Sequence, residues 1–505
     1  MATAAIDQWR AKKFTAPRLL GPVLVAMFAI GCVAINPIGF IGGGSDENHY
    51  LDAARCWVSN GQPCLPHNHW ASRWPVVAPI ATSIALFGES RFTIAIGPLL
   101  WWASALFLAG FLGWRWFGRA VGLACTLILA SLPALTGTAM TASADIPELA
   151  FQLGALAAAT LAYERDSRRW ALVAGALAGF ALQARDTSFL FAGAAALVWF
   201  TLPRSRRSVL LWAVPGLLAA AIAEMAVYVG ATGDALYRYR LALGHVAIPS
   251  AELPRGFDTN QSPLFNPAYI AAWNREQGIQ VHWIVDPWLN LLASPRIGWT
   301  LFMAIIVLLL TRSALLPRQR LALFRVGMPA LLVALLLVYG LAIDPKSRMF
   351  LGLATTAAMI IAVGAVGARK DEDRRLPAVA MALLVLLQAH TVISLPSTRE
   401  AESRARVWIE AHPNEIEIDD VTLSSLTLIP EAHRLAGPGS GRPLRLATVA
   451  TTCADYVRPR PGVSIRVAVV DSAAASNGGA GEICLLRIRA RPLTGTRAGA
   501  RSSRV

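Results

Sequence analysis

Two adjacent carboxylates, Asp46 and Glu47, stand directly behind Ser45 and the run Gly42, Gly43, Gly44. Ser45 suits a helix N-cap, so both acids fall in a first turn, near the positive end of the helix dipole. Paired carboxylates there can accept a proton or hold a cation, or they can do no more than favour the helix start. Tyr50 follows one turn later, and Tyr50, Ala53, Ala54, Trp57 and Val58 recur at helical spacing, which gives the segment one apolar stripe. The stretch from Gly42 to Pro79 then supplies Cys56, Cys64, His67, His69 and the basic phrase Arg73-Trp74-Pro75.

Other charged groups sit at the ends of apolar runs. Asp145 precedes a helix that starts at Pro147, where an acid can serve as a cap. The run Ala174 to Phe180, whose small residues allow close helix packing, closes on Arg185-Asp186. That pair can mark the membrane edge, or Arg185 can be a buried cation for an anionic group. Lys346 and Arg348 stand just before another apolar run, where each can hold an anionic headgroup or simply snorkel to the interface.

The elements that must position these groups are membrane spans. With 55% hydrophobic and only 15% charged residues in 505, the chain is no ordinary soluble protein. About eleven apolar runs of bilayer length can be drawn: 19–41, 91–113, 120–139, 147–163, 170–184, 187–202, 208–230, 297–311, 326–343, 349–367 and 376–396. The short pair 170–184 and 187–202 is kept as two because Arg185 and Asp186 would otherwise lie in hydrocarbon. The formal charge of +15 comes from short Arg and Lys clusters between these runs, such as Arg165/Arg168/Arg169 and Arg318/Arg320/Arg325. They read as topology signals and exclude a nucleic-acid partner. All the clusters fall on one side, so the expected protein is multi-pass in the plasma (inner) membrane. Its N-terminus is then cytoplasmic, and residues 42–90 and the C-terminal part are external or periplasmic.

Cysteine use agrees with that orientation. Cys32 and Cys125 fall within spans, while Cys56 and Cys64 share the first external loop, and Cys453 and Cys484 share the external tail. Two disulfides in an oxidising compartment account for these four. A zinc site from Cys56, Cys64, His67 and His69 is the alternative, with a spacing that matches no common finger. The expected division is a transmembrane domain over 1–396 and a small soluble α/β domain over 397–505. Strands are expected at Leu444–Ala450, Ser464–Val470 and Ile483–Ile488, and a basic, disordered tail from Arg491.

The order Asp46-Glu47, Tyr50, Arg73, Pro75, Gly88-Glu89 resembles the first external loop of the GT-C membrane glycosyltransferases. These enzymes use a polyprenyl-phosphate sugar donor, and the branch that looks most similar holds the protein mannosyltransferase-like enzymes and the lipid A aminoarabinose transferases. Asp145 stands where that family has a second carboxylate, and Arg185 where its Gly-rich fifth span ends in a basic residue. Gly233-Asp234-Ala235-Leu236-Tyr237 matches a family phrase except that Ala235 replaces its Pro. Arg348-Met349 departs at the aromatic from an Arg-Tyr pair. The long segment 231–296, with Trp273, Trp283 and Trp288, resembles a cover lying on the membrane.

The resemblance implies a mainly α, polytopic transmembrane helix bundle of GT-C type with a small external α/β domain. Its implied activity is transfer of a sugar from a polyprenyl-phosphate donor to an envelope glycolipid, glycan or protein acceptor. Asp46 would be the general base, with Glu47 and Asp145 orienting the acceptor or holding a divalent cation. Arg73, Arg185 and Arg348 would surround the phosphate, and Tyr50, Asp186, Tyr237 and Lys346 would complete substrate binding. The rival of another class is a secondary transporter or a flippase for a lipid-linked saccharide. It calls for ionisable groups in mid-span, whereas these gather at external span ends.

Overall fold

The computed structural model describes residues 16–35, 46–64, 69–199, 201–203, 207–245, 282, 284–311, 315–340, 347–367, 371–394, 399–413, 415–418, 422, 443–449, 453–457, 466–475 and 481–489. The chain forms two compact units: Met1–Pro37 with His49–Leu395, and Ile38–Asn48 with Pro396–Val505.

The larger unit is a helix bundle. Its helices are α1 (Ala16–Ile35), α2 (Asp46–Asn60, of which His49 onward belongs here), α3 (Trp74–Phe87), α4 (Arg91–Phe117), α5 (Arg119–Ser131), α6 (Asp145–Arg165), α7 (Arg168–Ala184) and α8 (Ser188–Trp199). They continue with α9 (Ala213–Thr232), α10 (Tyr237–His245), α11 (Asp286–Ala293), α12 (Gly298–Thr311), α13 (Pro317–Leu335), α14 (Leu351–Ala362) and α15 (Asp371–Ser394). Each run expected to span has a helix at its place. Among the described residues, however, six helical segments are long and apolar enough to cross a bilayer: Phe92–Phe117, Asp145–Arg165, Ser208–Thr232, Pro317–Gly340, Ser347–Gly367 and Arg374–Ile393. A seventh span exists if α11 and α12, bent by 100° at their junction, are counted as one. The expected number of about eleven is therefore not reached by length and composition. The protein is a multi-pass membrane protein.

Small residues set the closest helix crossing. A Cβ on Gly175 of α7 would stand 1.8 Å from the Ala213 carbonyl oxygen, and one on Gly216 of α9 would stand 2.1 Å from that of Leu172. The two helices touch backbone to backbone, which only glycine permits. The core is aliphatic: Leu112, Ile128, Leu129, Leu132, Leu135 and Ile146 are among its fully buried side chains.

In the smaller unit, α16 (Arg399–Ala411) accompanies strands β1 (Ile416–Ile418), β2 (Leu444–Val449), β3 (Arg466–Ala475) and β4 (Gly481–Arg489). The sheet order is β1-β2-β4-β3, with β1 parallel to β2 and the other pairs antiparallel. Ala405, Trp408 and Ile409 of α16 pack with Ile416, Leu444, Leu446, Ile483 and Leu485. A disulfide joins Cys453 to Cys484 of β4. The tail from Arg491 lies outside the described residues.

Candidate active site

Asp145 opens α6, yet its carboxylate caps nothing: the N-cap residue is Ala144, and no side-chain cap bond forms. The buried carboxylate accepts instead from two groups and pairs with a third. Ser143 Oγ donates to Oδ2 at 2.9 Å, Arg185 Nη1 donates to Oδ1, and Arg348 Nε lies 3.4 Å from Oδ2. Arg185 is delivered by the C-terminal end of α7, and Arg348 by the helical turn Ser347–Phe350 that leads into α14. Two guanidinium groups thus converge on one acid that is 6% exposed. Such charge-assisted pairing is what makes a buried carboxylate tolerable.

Glu148, one turn along α6, faces the same space. Its Oε1 accepts from Ser188 Oγ at 2.6 Å and from Gln152 Nε2 at 3.2 Å, and its Oε2 lies 3.9 Å from Arg185. Arg73, the N-cap residue of α3, donates from Nη1 to the hydroxyl of the buried Tyr50.

Asp145, Glu148, Arg185 and Arg348 form the polar end of a cavity of ≈ 410 Å³. Along α6 its lining recurs at Asp145, Glu148, Leu149, Gln152, Leu153 and Leu156 and continues to Glu164, so one whole face of the helix borders it. At 1.5 Å per residue that face is about 28 Å long, close to the hydrocarbon thickness of a bilayer. Between its ends the wall is mostly apolar, with Phe191, Val326, Leu337 and Met359 opposite α6. The arrangement suits an amphiphile with an anionic head and a long apolar tail.

The Arg185–Asp186 pair splits. Arg185 turns to Asp145, while Asp186 Oδ1 accepts from Arg238 Nη2 at 2.7 Å. Arg238, on α10, is buried and also donates to Glu224 Oε1 at 2.6 Å and to the Leu182 carbonyl at 2.5 Å. Burial works against its charge, but Asp186 and Glu224 outweigh it and hold the guanidinium pKa above the ordinary value. The Tyr237 ring lies 6.0 Å from that of Tyr228, whose hydroxyl accepts from Trp74 Nε1 at 2.9 Å and donates to the Ser72 carbonyl at 2.9 Å.

In the first loop, Cys56 and Cys64 are joined by a disulfide, so neither sulfur is available to the zinc alternative. Arg55 of α2 binds Glu89, at 2.5 and 2.9 Å, in the turn between α3 and α4. The start of α2 is placed, but the side chains of Asp46 and Glu47 lie outside the described residues, as do Lys346 and most of the expected cover segment. Among the described residues no group of three or more His, Cys, Asp or Glu could hold a metal ion. Asp145, with a guanidinium on each oxygen, does not suit a divalent cation.

Sequence reasoning passed over Glu148, Glu224 and Arg238. Glu148 had a signal, because it lies three residues after Asp145 and thus on the same helix face.

Residues 75–229 match the family described as dolichyl-phosphate-mannose-protein mannosyltransferase. Among solved structures, the Archaeoglobus fulgidus oligosaccharyltransferase tethered with an acceptor peptide containing the NVT sequon is 14% identical, at a TM-score of 0.53, over 83% of this chain and 64% of its own. The oligosaccharyltransferase AglB of the same organism, in complex with an inhibitory peptide and a dolichol-phosphate, is 13% identical, at a TM-score of 0.51, over 84% and 65%. ArnT from Cupriavidus metallidurans, bound to undecaprenyl phosphate, is 12% identical, at a TM-score of 0.44, over 93% and 97%. The chain spans about 65% of the length of the archaeal enzymes. No curated protein matches it. The fold is that of the GT-C membrane glycosyltransferases, as the resemblance implied.

Proposed function

We propose that this chain transfers a sugar from a polyprenyl-phosphate donor to a lipid, glycan or protein acceptor on the external face of the plasma membrane. The convergence of Arg185 and Arg348 on Asp145, at one end of an apolar cavity as long as a bilayer leaflet pair, carries the reading. The match of residues 75–229 to a family named for a dolichyl-phosphate sugar donor supports it.

The polyprenyl tail lies along the apolar face of α6, and the phosphate meets Arg185 and Arg348. Asp145 holds both cations in place while the site is empty and shares them when the phosphate arrives. Asp46, one turn before Tyr50 on α2, takes the proton from the acceptor hydroxyl. The hydroxyl oxygen bonds to the anomeric carbon, the bond from that carbon to the phosphate oxygen breaks, and the phosphate leaves with the electron pair. The guanidinium groups stabilise the charge that develops on it.

Complementation tests the proposal. A strain lacking the chain should lose one surface glycan or glycolipid, restored by the wild type and not by Arg348→Ala at equal abundance. Full restoration by that variant would contradict it. The cavity lining, which reaches Glu164 and Arg325 at the far end of α6, favours one second reading, a flippase for the same lipid-linked saccharide. Sugar transfer in detergent, where there is no second leaflet, separates the two.

A further inference from the structure

We propose that Arg238 is a positioning residue, a buried clamp on Asp186 that sets the place of the neighbouring Arg185; the idea rests on the phosphate-binding role given above to Arg185. Arg238 is 1% exposed and takes acceptors from three places: Glu224 on α9, the Leu182 carbonyl near the end of α7, and Asp186 in the turn between α7 and α8. That turn is tight, since Ser188 N–H donates to the Arg185 carbonyl at 3.1 Å and Phe189 N–H donates to the Asp186 carbonyl at 3.2 Å. Asp186 and Arg185 are adjacent in this hydrogen-bonded turn, so a shift of Asp186 is passed on to Arg185.

The same turn, with the first residue of α8, supplies one contact to each of the two acids of α6. Arg185 holds Asp145, and Ser188 holds Glu148 at 2.6 Å. One buried guanidinium behind the turn therefore bears on two groups in front of it. A buried cation needs partners to be tolerated at all, and the ion pair with Glu224 satisfies that need without Asp186. The contact with Asp186 is the one that only a positioning role requires.

The test measures binding of radiolabelled undecaprenyl phosphate to the purified full-length protein in detergent, with folding checked by thermal unfolding. Asp186→Ala leaves the Arg238–Glu224 pair intact and should weaken binding about tenfold, the scale seen when a partner behind a ligating group is lost. Arg185→Ala should weaken it at least as much. Adding Asp186→Ala to Arg185→Ala should cost nothing further, because the clamp acts only through Arg185. Arg238→Gln, if it folds, should match Asp186→Ala. Wild-type binding by Asp186→Ala, or full additivity with Arg185→Ala, overturns the clamp while leaving the donor site standing. Wild-type binding by Arg185→Ala overturns the donor reading and the clamp with it.

Discussion

Arg348 meets Asp145 on the oxygen that Arg185 leaves: its Nε lies 3.4 Å from Oδ2, while Arg185 holds Oδ1. One carboxylate thereby gathers two cations from distant parts of the chain at the head of the cavity. Neither cation can be read as a surface charge, and each should count separately toward an anionic ligand. Replacing either by Ala is expected to weaken undecaprenyl phosphate binding by roughly tenfold or more, since a charge-assisted contact contributes about 1.5–3 kcal/mol. Equal affinity in both variants and the wild type, measured by equilibrium binding in detergent, would remove these residues from the site.

Asp145 makes the opposite kind of prediction. Without its carboxylate the two guanidinium groups are left partly buried against each other, a loss on the order of 3–5 kcal/mol for a broken buried pair. Asp145→Ala should therefore unfold at lower temperature than the wild type, and added undecaprenyl phosphate should recover more stability in the variant than in the parent. A carboxylate that merely capped α6 would cost only about 1 kcal/mol and show no such recovery. Thermal unfolding with and without the lipid distinguishes the two.

The apolar part of the cavity can be tested apart from its head. Leu153 lies on the lining face of α6, and Leu153→Trp should fill the space there. Binding of undecaprenyl phosphate is expected to fall, while a short-chain analogue such as geranyl phosphate keeps its affinity. Parallel losses for both ligands would mean that the tail does not lie along α6.

Much of this site was legible because its cations sit where sequence patterns break. Arg73 precedes Pro75, Arg185 closes a run of small residues, and Arg348 follows Pro345, so each marks the end of a helix that an apolar run defines. Keeping 170–184 apart from 187–202 on account of Arg185 and Asp186 placed the break between α7 and α8 where the structure has it. Glu224 was invisible for the opposite reason: it lies inside the apolar run 208–230, and its partner Arg238 comes from α10, around a corner that no local pattern joins. Six helical segments, or seven with the bent pair, meet the length and composition of a span among the described residues, because several of the expected apolar runs form helices shorter than a bilayer needs, such as Arg119–Ser131.

The Cys453–Cys484 bridge closes a separation of 31 residues, for which the loop-entropy scale gives about 3–4 kcal/mol. Replacing both cysteines by Ser should make the segment from Arg399 to Arg489 cleave faster under limited proteolysis of the whole protein. An unchanged digestion pattern would show that its α/β core holds without the bridge.

Release of free polyprenyl phosphate is the most direct measure of the proposed transfer, because it does not depend on knowing the sugar. Membrane lipids from a strain lacking the chain, which retain unused donor and acceptor, can be incubated with purified protein and followed by mass spectrometry. The wild type is expected to release polyprenyl phosphate in step with formation of a glycosylated product. Asp46→Asn should do so at least about 10²-fold more slowly, the usual contribution of a positioned base, with undecaprenyl phosphate binding little changed. No release by the wild type, or release by Asp46→Asn at the wild-type rate, would contradict the account.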